Sequence, residues 1–435
     1  MNELLLLSGL GVYAMLSEIF DFRKATFWVA VVGLAAVIGL CAMDWNSTRE
    51  YYNMLQTDNY SLAFTGVFSA VALVWFLMSK SYFEDDNNVS DHASLVLFAL
   101  AGGAILVSFT NMAMLFLGVE ILSIPLYVLV GSRKTDIASN ESAFKYFLMG
   151  AFASGFLLFG IAFIYGATGS FDLEKIHAYV TAANGNVSIL FIIGVLLMLV
   201  AMSFKVSAAP FHFWAPDVYQ GAPTLITAFM ATIVKTVAFA AFFRLFMNTF
   251  AEAHSRFADV LWAIAALTLM LGNIIAAIQD DVKRMLAYSS IGHAGFMMIG
   301  ILVMNDASAS AILYYTAAYS AASIAAFSVL FLVGGANEGN LGVSSFNGLV
   351  KTNPLMAGTM TLALLSMAGI PPLSGFFAKY FIFSSAMEAG YIALVIIAIL
   401  ASLIGVYYYF KIIIAMYFKV PDEGLTYNVT TLHKI

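Results

Sequence analysis

Long apolar runs separated by short polar segments extend along the chain to about residue 418. A helix needs about 20 mostly apolar residues to cross a hydrocarbon core of roughly 30 Å, and most of these runs reach that length. We therefore predict an all-α polytopic membrane protein with about thirteen transmembrane helices. The predicted spans cover residues 3–20, 26–43, 60–79, 93–110, 112–131, 142–166, 187–209, 222–249, 257–279, 284–304, 308–334, 354–388 and 390–418.

Prolines interrupt two of the predicted spans. Pro210 follows span seven, and Pro371 and Pro372 lie inside span twelve. A proline within a helix frees the carbonyl four residues earlier, here those of Met367 and Ala368 in span twelve. Such groups are tolerated at membrane depth only where protein or a water-filled cavity satisfies them. The breaks therefore predict hydrated regions, with simple packing kinks as the alternative.

The two broken spans divide the chain into matching blocks. Each block has five spans and carries its break in the fourth, so the second block is inverted relative to the first. Interrupted helices at matching positions point to the transport site of inverted-repeat transporters. The predicted segments are helices 1–3 over residues 1–92, a first inverted repeat over 93–249, a second over 250–418, and a polar C-terminal tail over 419–435.

Composition narrows the possible functions. Hydrophobic residues make up 62% of the 435 residues and charged residues only 10%, against about 25% charged in soluble domains. The small net charge of −6 indicates no nucleic-acid partner. Cys41 is the single cysteine, so no intrachain disulfide or iron–sulfur cluster is expected. Without a P-loop, a GxGxxG motif or a long loop, we expect no nucleotide or flavin domain.

Basic residues in the loops predict the orientation. With the N-terminus outside, nine lysines and arginines fall in inside segments and three in outside loops. Cytoplasmic loops carry the excess of these residues, so the N-terminus is predicted outside and, after thirteen spans, the C-terminus inside.

Five charged residues lie where a membrane span should be apolar. These are Glu120 in span five, Lys145 in span six, Lys205 before the first break, Lys235 near the centre of span eight, and Lys379 after the second break. A charge at the bilayer centre costs about 2.5–3.5 kcal/mol on insertion scales. Lys145 lies near a helix end and can reach the interface by extending its side chain. Glu120 is the only carboxylate deep in a span, and we pair it with Lys205.

Lys235 carries the strongest functional signal. About thirteen residues on each side place it roughly 20 Å from either helix end, too far for its side chain to reach water. Burial disfavours a charged amine, whereas a nearby carboxylate favours it. A lysine subject to both effects can gain or lose its proton when a neighbouring charged group moves, and a proton relay requires this property. The alternatives are a static internal ion pair and a lipid-facing lysine.

Other polar residues give weaker signals. His212 follows the first break and His293 lies in the segment YSSIGHAGFMMIG, and each is a candidate relay or a helix-packing histidine. The six scattered histidines show no metal-ligand spacing. Asp217 is interpreted as a residue at the start of a helix. The turn with Asp280, Asp281, Lys283 and Arg284 is interpreted as solvated.

Three segments resemble one known family. They are FKVSAAPFHFWAPDVYQGAPTLITAF, VKRMLAYSSIGHAGFMMIG and AGIPPLSGFFAKYFIF. All three are similar to the N-type antiporter-like membrane subunits of bacterial NADH–quinone oxidoreductase (respiratory complex I), and the resemblance covers about residues 90–415.

The resemblance implies fourteen helices, with helices 7 and 12 broken, in a membrane arm that translocates protons. Glu120, Lys205, Lys235 and Lys379 match that family's polar residues in helices 5, 7, 8 and 12. Lys145, His212 and His293 match auxiliary members of the same polar axis. A fourteenth helix is not found, so either the sequence is truncated or the lineage lacks it.

The expected function is proton translocation through buried Glu, Lys, His and water, coupled to redox chemistry in other subunits. Expected partners are M-type antiporter-like subunits, small K-, J- and A-type subunits, and the lipid of a bacterial plasma membrane. No cofactor is expected in this chain, because NADH, FMN, iron–sulfur clusters and quinone would bind elsewhere in the complex. Two alternatives remain open, a stand-alone or Mrp-type cation/proton antiporter and a structural scaffold with static ion pairs.

Overall fold

The computed structural model describes residues 1–20, 22–84, 89–184, 186–336 and 339–420, and most of them are helical. The first eight α-helices are α1 (Asn2–Ile19), α2 (Arg23–Met43), α3 (Asn59–Glu84), α4 (Val89–Ser108), α5 (Met112–Val130), α6 (Ile137–Thr168), α7 (Leu173–Ala182) and α8 (Ile189–Lys205). The next five are α9 (Trp214–Gly221), α10 (Thr224–Phe229), α11 (Lys235–Leu245), α12 (Ala258–Ala277) and α13 (Val282–Val303). The last five are α14 (Asp306–Ala336), α15 (Leu349–Thr352), α16 (Pro354–Ala368), α17 (Ser374–Glu388) and α18 (Ile392–Phe418).

Each of the thirteen predicted spans coincides with one helix or one pair of helices. Among the described residues, ten helical segments are long and apolar enough to cross a membrane. The other three predicted spans are α1 and the two that prolines interrupt. In those two, α8 and α16 are shorter apolar helices that end at the breaks. The predicted tail 419–435 lies outside the described residues from position 421 onward.

The chain forms two compact units. The first contains Met1–Val206 and Ile233–Val260, and the second contains Ser207–Thr232 together with the chain from Leu261 onward. In the first unit, α4 packs against α1 and α5, α6 packs against α8, and α11 packs against α3, α4 and α8. The only described β-sheet is a hairpin in this unit, in which β1 (Arg49–Tyr51) pairs antiparallel with β2 (Leu55–Thr57). In the second unit, α14 packs against α16 and α17, and α13 packs against α9, α14 and α17.

The first break separates α8 from α9. Helix α8 ends at Lys205, and Ser207 adopts a left-handed backbone with φ 61°. The backbone N–H of Ala209, just before Pro210, donates a 2.8 Å hydrogen bond to the Thr268 hydroxyl of α12. A side chain therefore satisfies part of the backbone that the break removes from the helix, as buried polar groups require.

The second break separates α16 from α17. Helix α16 ends at Ala368 and is followed by Gly369, whose φ of 87° lies in the left-handed region that favours glycine. Helix α17 then begins so close to α16 that a Cβ on Gly375 would lie 1.8 Å from the carbonyl oxygen of Ser366. This approach excludes any larger residue at position 375 and fixes the ends of the two half-helices against each other.

A π-helical turn interrupts span eight, which the sequence predicts as continuous. Met230–Val234 forms this turn between α10 and α11, and Lys235 is the first residue after it. Single π-helical turns within α-helices are rare and occur frequently at functional sites. The residue with the strongest sequence signal therefore follows an irregularity that apolar periodicity does not reveal.

Candidate functional site

In the first unit, serine hydroxyls bind Glu120 of α5 and Lys205 of α8. Ser154 donates a 2.5 Å hydrogen bond to Glu120 Oε1, and Lys205 Nζ donates a 2.6 Å hydrogen bond to Ser123 Oγ. Ser123 lies one turn after Glu120 on α5 and itself donates to the carbonyl of Val119. The predicted pairing is therefore indirect, because each charge binds a serine instead of the other charge.

A cavity of about 20 Å³ adjoins this cluster. Its lining includes Ser123, Tyr127, Ser154 and Lys205. A cavity needs roughly 10–15 Å³ to accommodate the centre of a water molecule, so this one has space for one water beside polar groups. A water molecule in this cavity would be able to accept a proton from Lys205.

Lys235 is buried in the first unit. Its exposed fraction is 2%, and all eleven residues of α11 are buried. This excludes the lipid-facing alternative. A lysine enclosed in this way must either lose its proton or be compensated by polar neighbours. Both conditions are compatible with the predicted relay.

Lys145 differs from the other lysines because it lies at the surface of the unit. Its amine forms a 2.7 Å ion pair with Glu141 one turn earlier on α6, and the two side chains are 40% and 59% exposed. Exposed pairs of this spacing contribute about 0.3–0.5 kcal/mol. The structure does not bring Lys145 into the cluster of Glu120 and Lys205.

In the second unit, Lys379 of α17 binds the backbone that the second break exposes. Its Nζ donates a 2.8 Å hydrogen bond to the carbonyl of Ala368 and a 2.7 Å hydrogen bond to Ser402 Oγ. The same amine lies 4.9 Å from the ring centroid of Phe296, a cation–π distance. The prediction that proline frees the Ala368 carbonyl is confirmed, and the buried lysine is the donor that satisfies it.

The two candidate histidines are buried in the second unit. His293 of α13 lies 2.7 Å from the Tyr315 hydroxyl through Nδ1 and 3.1 Å from the Tyr409 hydroxyl through Nε2. His212, in the first break, stacks on Phe213 with a centroid distance of 4.6 Å. Its Nδ1 is buried and has no hydrogen-bond partner in the described part of the chain. His293 is therefore placed to exchange protons with two tyrosine hydroxyls, whereas the described contacts of His212 show no such partner for its Nδ1.

The turn before α13 is predicted from the sequence to be solvated. In the structure, its basic residues bind the short helix α9. Lys283 is buried, and its Nζ donates to the carbonyls of Gln220 and Ala222 at 3.0 Å and 2.5 Å. Arg284 forms a 3.0 Å ion pair with Asp217. The solvated interpretation of Lys283 was wrong, because a long lysine stem can carry its amine to carbonyls at a helix C-terminus. Asp217 thus helps to anchor α9.

Arg244 in α11 is a further buried charge, 3% exposed, that apolar patterning does not reveal. This buried guanidinium donates to Asp58 Oδ2 at 2.5 Å and to the carbonyl of Val107 at 2.6 Å. Arginine stays protonated in proteins, so Arg244 stabilises the packing of α11 and does not relay protons.

Replacing Lys283 with methionine is expected to destabilise the protein by about 1–3 kcal/mol, because two carbonyls at the end of α9 lose their donor. Thermal unfolding of the detergent-solubilised protein measures the effect. The matched control is Lys351→Met at an exposed position, expected to change stability by less than about 0.5 kcal/mol. Equal unfolding of both variants would show that the two hydrogen bonds contribute little.

The described residues contain no group of three or more histidine, cysteine, aspartate or glutamate side chains placed to hold a metal ion. The charged and polar side chains of the candidate site are amines, carboxylates, hydroxyls and imidazoles, and such groups exchange protons.

Comparison with known proteins gives a consistent result. Residues 110–405 match the family described as NADH:quinone oxidoreductase/Mrp antiporter, TM. Subunit N of NADH-quinone oxidoreductase from Cytophaga hutchinsonii is 46% identical over 419 residues, covering 96% of this chain and 90% of the relative. The same subunit from Flavobacterium johnsoniae is 46% identical over 435 residues, covering 98% and 93%. A chain of respiratory complex I from Thermus thermophilus superposes with a TM-score of 0.85 at 31% identity, covering 99% and 93%.

Proposed function

The chain belongs to the NADH:quinone oxidoreductase/Mrp antiporter family of transmembrane proteins, and from this premise we propose that it is a proton-translocating membrane-arm subunit of NADH–quinone oxidoreductase. The observation that carries the proposal is Lys235, an ionisable side chain 2% exposed on a wholly buried helix. Ionisable residues kept within spans at such cost mark proton and ion pathways.

Glu120 and Lys205 act as a switch pair in this proposal. In the described state, Ser154 binds Glu120 and Ser123 binds Lys205. If Lys205 releases Ser123 and moves to Glu120, the carboxylate stabilises the charged amine and its proton affinity rises. If the two separate, the amine releases its proton more readily. A change in a neighbouring subunit would move the pair between these arrangements.

Lys235 and Lys379 relay protons under the control of that switch. When Lys205 binds Glu120, the electrostatic potential at Lys235 changes. Lys235 then passes its proton towards Lys379. Ala368 and Ser402 hold Lys379 at the second break, where freed backbone can bind water. His212 and His293 serve as auxiliary members of the path, and Lys145 is an auxiliary member at the surface, outside the cluster of Glu120 and Lys205.

The redox chemistry belongs to other subunits in this proposal. They bind NADH, FMN, iron–sulfur clusters and quinone, whereas this chain supplies none of the redox centres. Its partners are the other membrane-arm subunits, including the M-type and the small K-, J- and A-type chains. The chain spans the bacterial plasma membrane with its N-terminus outside, and residues 93–249 and 250–418 form the two inverted repeats.

Affinity purification of the tagged chain from native membranes tests the assignment. We expect the purified material to oxidise NADH and reduce quinone, because the redox arm copurifies with the membrane arm. The control is the same purification from a strain without the tag. Recovery of membrane chains that exchange cations for protons but never oxidise NADH would contradict the proposal and favour the Mrp-type alternative.

A further inference from the structure

Four buried side chains of the second unit form a continuous hydrogen-bonded line. Ser289 Oγ is hydrogen-bonded to the hydroxyl of Tyr409, which lies 3.1 Å from His293 Nε2. His293 Nδ1 lies 2.7 Å from the hydroxyl of Tyr315. Ser289, Tyr315 and Tyr409 are each 1% exposed. The line therefore joins three helices, α13, α14 and α18, through groups that all carry exchangeable protons.

The imidazole at the centre of this line is bonded on both sides. A neutral imidazole has one donor nitrogen and one acceptor nitrogen, and either tautomer can be present. Hydroxyl groups donate and accept, so the tyrosines fit either tautomer. The whole line can thus point in two directions with the same number of hydrogen bonds, which is the property a proton wire needs.

The line also has a direction within the membrane. Ser289 and His293 lie four residues apart on α13, which advances about 6 Å along the helix axis. Tyr315, the last member of the line, stacks on Phe296 with ring centroids 6.4 Å apart, and the Lys379 amine lies 4.9 Å from the same Phe296 ring. The line therefore runs along α13 from the side of Lys283 and ends one aromatic ring away from Lys379.

We propose that Tyr409 and Tyr315 are proton-relay residues that carry protons along α13 through His293, a role that rests on the function proposed above. The juxtaposition that assigns this role is the unbroken sequence of Ser289, Tyr409, His293 and Tyr315. The relay serves the half of the pathway that leads to Lys379.

The transfer balances without any change of oxidation state. A proton arrives at the Tyr409 oxygen, and the original hydroxyl proton of Tyr409 moves to His293 Nε2. The proton on His293 Nδ1 moves to the Tyr315 oxygen, and the original hydroxyl proton of Tyr315 passes to a water molecule. Each O–H and N–H bond that breaks is replaced by another, and the imidazole finishes in its other tautomer.

Tyr409→Phe and Tyr315→Phe test the relay, because each removes one hydroxyl and keeps the ring. We expect proton transfer through this chain in the reconstituted whole complex to slow about a hundredfold or more, the range that one positioned proton-transfer group contributes. The matched control is Tyr314→Phe, whose half-exposed ring packs on Phe381 and should leave pumping unchanged. Ser289→Ala is a further variant, which removes the terminal hydroxyl without altering a ring.

The isotope effect separates a relay from a packing role. If proton transfer becomes rate-limiting, the ratio of pumping rates in H₂O and D₂O rises in the tyrosine variants, whereas a packing defect keeps the wild-type ratio. Should Tyr409→Phe fail to assemble, Tyr315→Phe and Ser289→Ala decide the matter. Pumping equal to that of Tyr314→Phe in the assembled variants would overturn the relay.

Lys235→Met, measured in the same assay, separates a failure of the relay from a failure of the proposed function. If Lys235→Met abolishes pumping while the tyrosine variants pump normally, only the relay fails. If Lys235→Met also pumps normally, the proposed function fails as well.

Discussion

Replacing Lys235 with methionine is expected to slow proton transfer through this chain by about a hundredfold or more, the contribution typical of a proton-transferring side chain. Methionine fills a similar volume but cannot bind a proton. Because every residue of α11 is buried, the helix should keep its packing against α3, α4 and α8. The expected loss is therefore one of proton transfer, with assembly preserved.

Lys235→Arg separates the relay from a static ion pair. Arginine keeps the positive charge but does not release its proton in proteins. A relay therefore loses pumping in both Lys235→Met and Lys235→Arg. A static ion pair loses its function only in Lys235→Met, and pumping by Lys235→Arg would refute the relay.

Dye-detected acidification of inverted membrane vesicles during NADH oxidation measures both variants. The matched control is Lys411→Met, which removes a lysine near the end of α18. Lys411 forms a 2.7 Å ion pair with Asp280 in the loop before α13. Its hydrogen bond and positive charge hold the pKa of Asp280 below its usual value. This pair lies at the surface, so its removal should leave acidification unchanged.

The second large effect is expected at Glu120 and Lys205. Glu120→Gln and Lys205→Met should each lower the pumping rate about tenfold or more, because either change removes one charge of the switch and coupling between sites is typically worth about 5–150-fold. The double variant should be no slower than the slower single variant, since groups that act as a unit are not additive. The rate of vesicle acidification for wild type, both single variants and the double variant completes the cycle.

The cycle also tests the arrangement of the serines. Ser123→Ala removes the described partner of Lys205 and frees the amine to approach Glu120. We expect this variant to favour the paired arrangement and to change the pumping rate more than Ser188→Ala, a substitution at a helix N-cap. Multiplicative effects of the two single charge variants would show that Glu120 and Lys205 act independently.

The sequence was sufficient to predict the transmembrane spans, because each apolar run is about as long as a membrane-crossing helix must be. It also placed Pro210, Pro371 and Lys379 correctly at the breaks, since proline has one predictable effect on helix hydrogen bonding. Contacts between segments that are far apart in the sequence could not be predicted from it. The contact between Lys283 and the carbonyls of α9 joins residues more than sixty positions apart, and a cluster of charges in a short loop resembles a solvated turn.

The partners of the candidate site residues show the same limit. Nothing in the local sequence indicates that serines separate Glu120 from Lys205, or that two tyrosines enclose His293. The π-helical turn before Lys235 also has no apolar signature, because α- and π-helical turns use the same residue types. Charged residues in an apolar span show where the candidate site lies. Which of its groups can exchange protons with one another depends on tertiary packing.

The most direct measurement is the number of protons translocated per NADH oxidised by the purified complex in sealed proteoliposomes. Wild type and Lys235→Met are compared, with NADH oxidation followed in the same sample. We expect Lys235→Met to translocate fewer protons per NADH than wild type in an assembled complex. Unchanged translocation at an unchanged rate of NADH oxidation would contradict it.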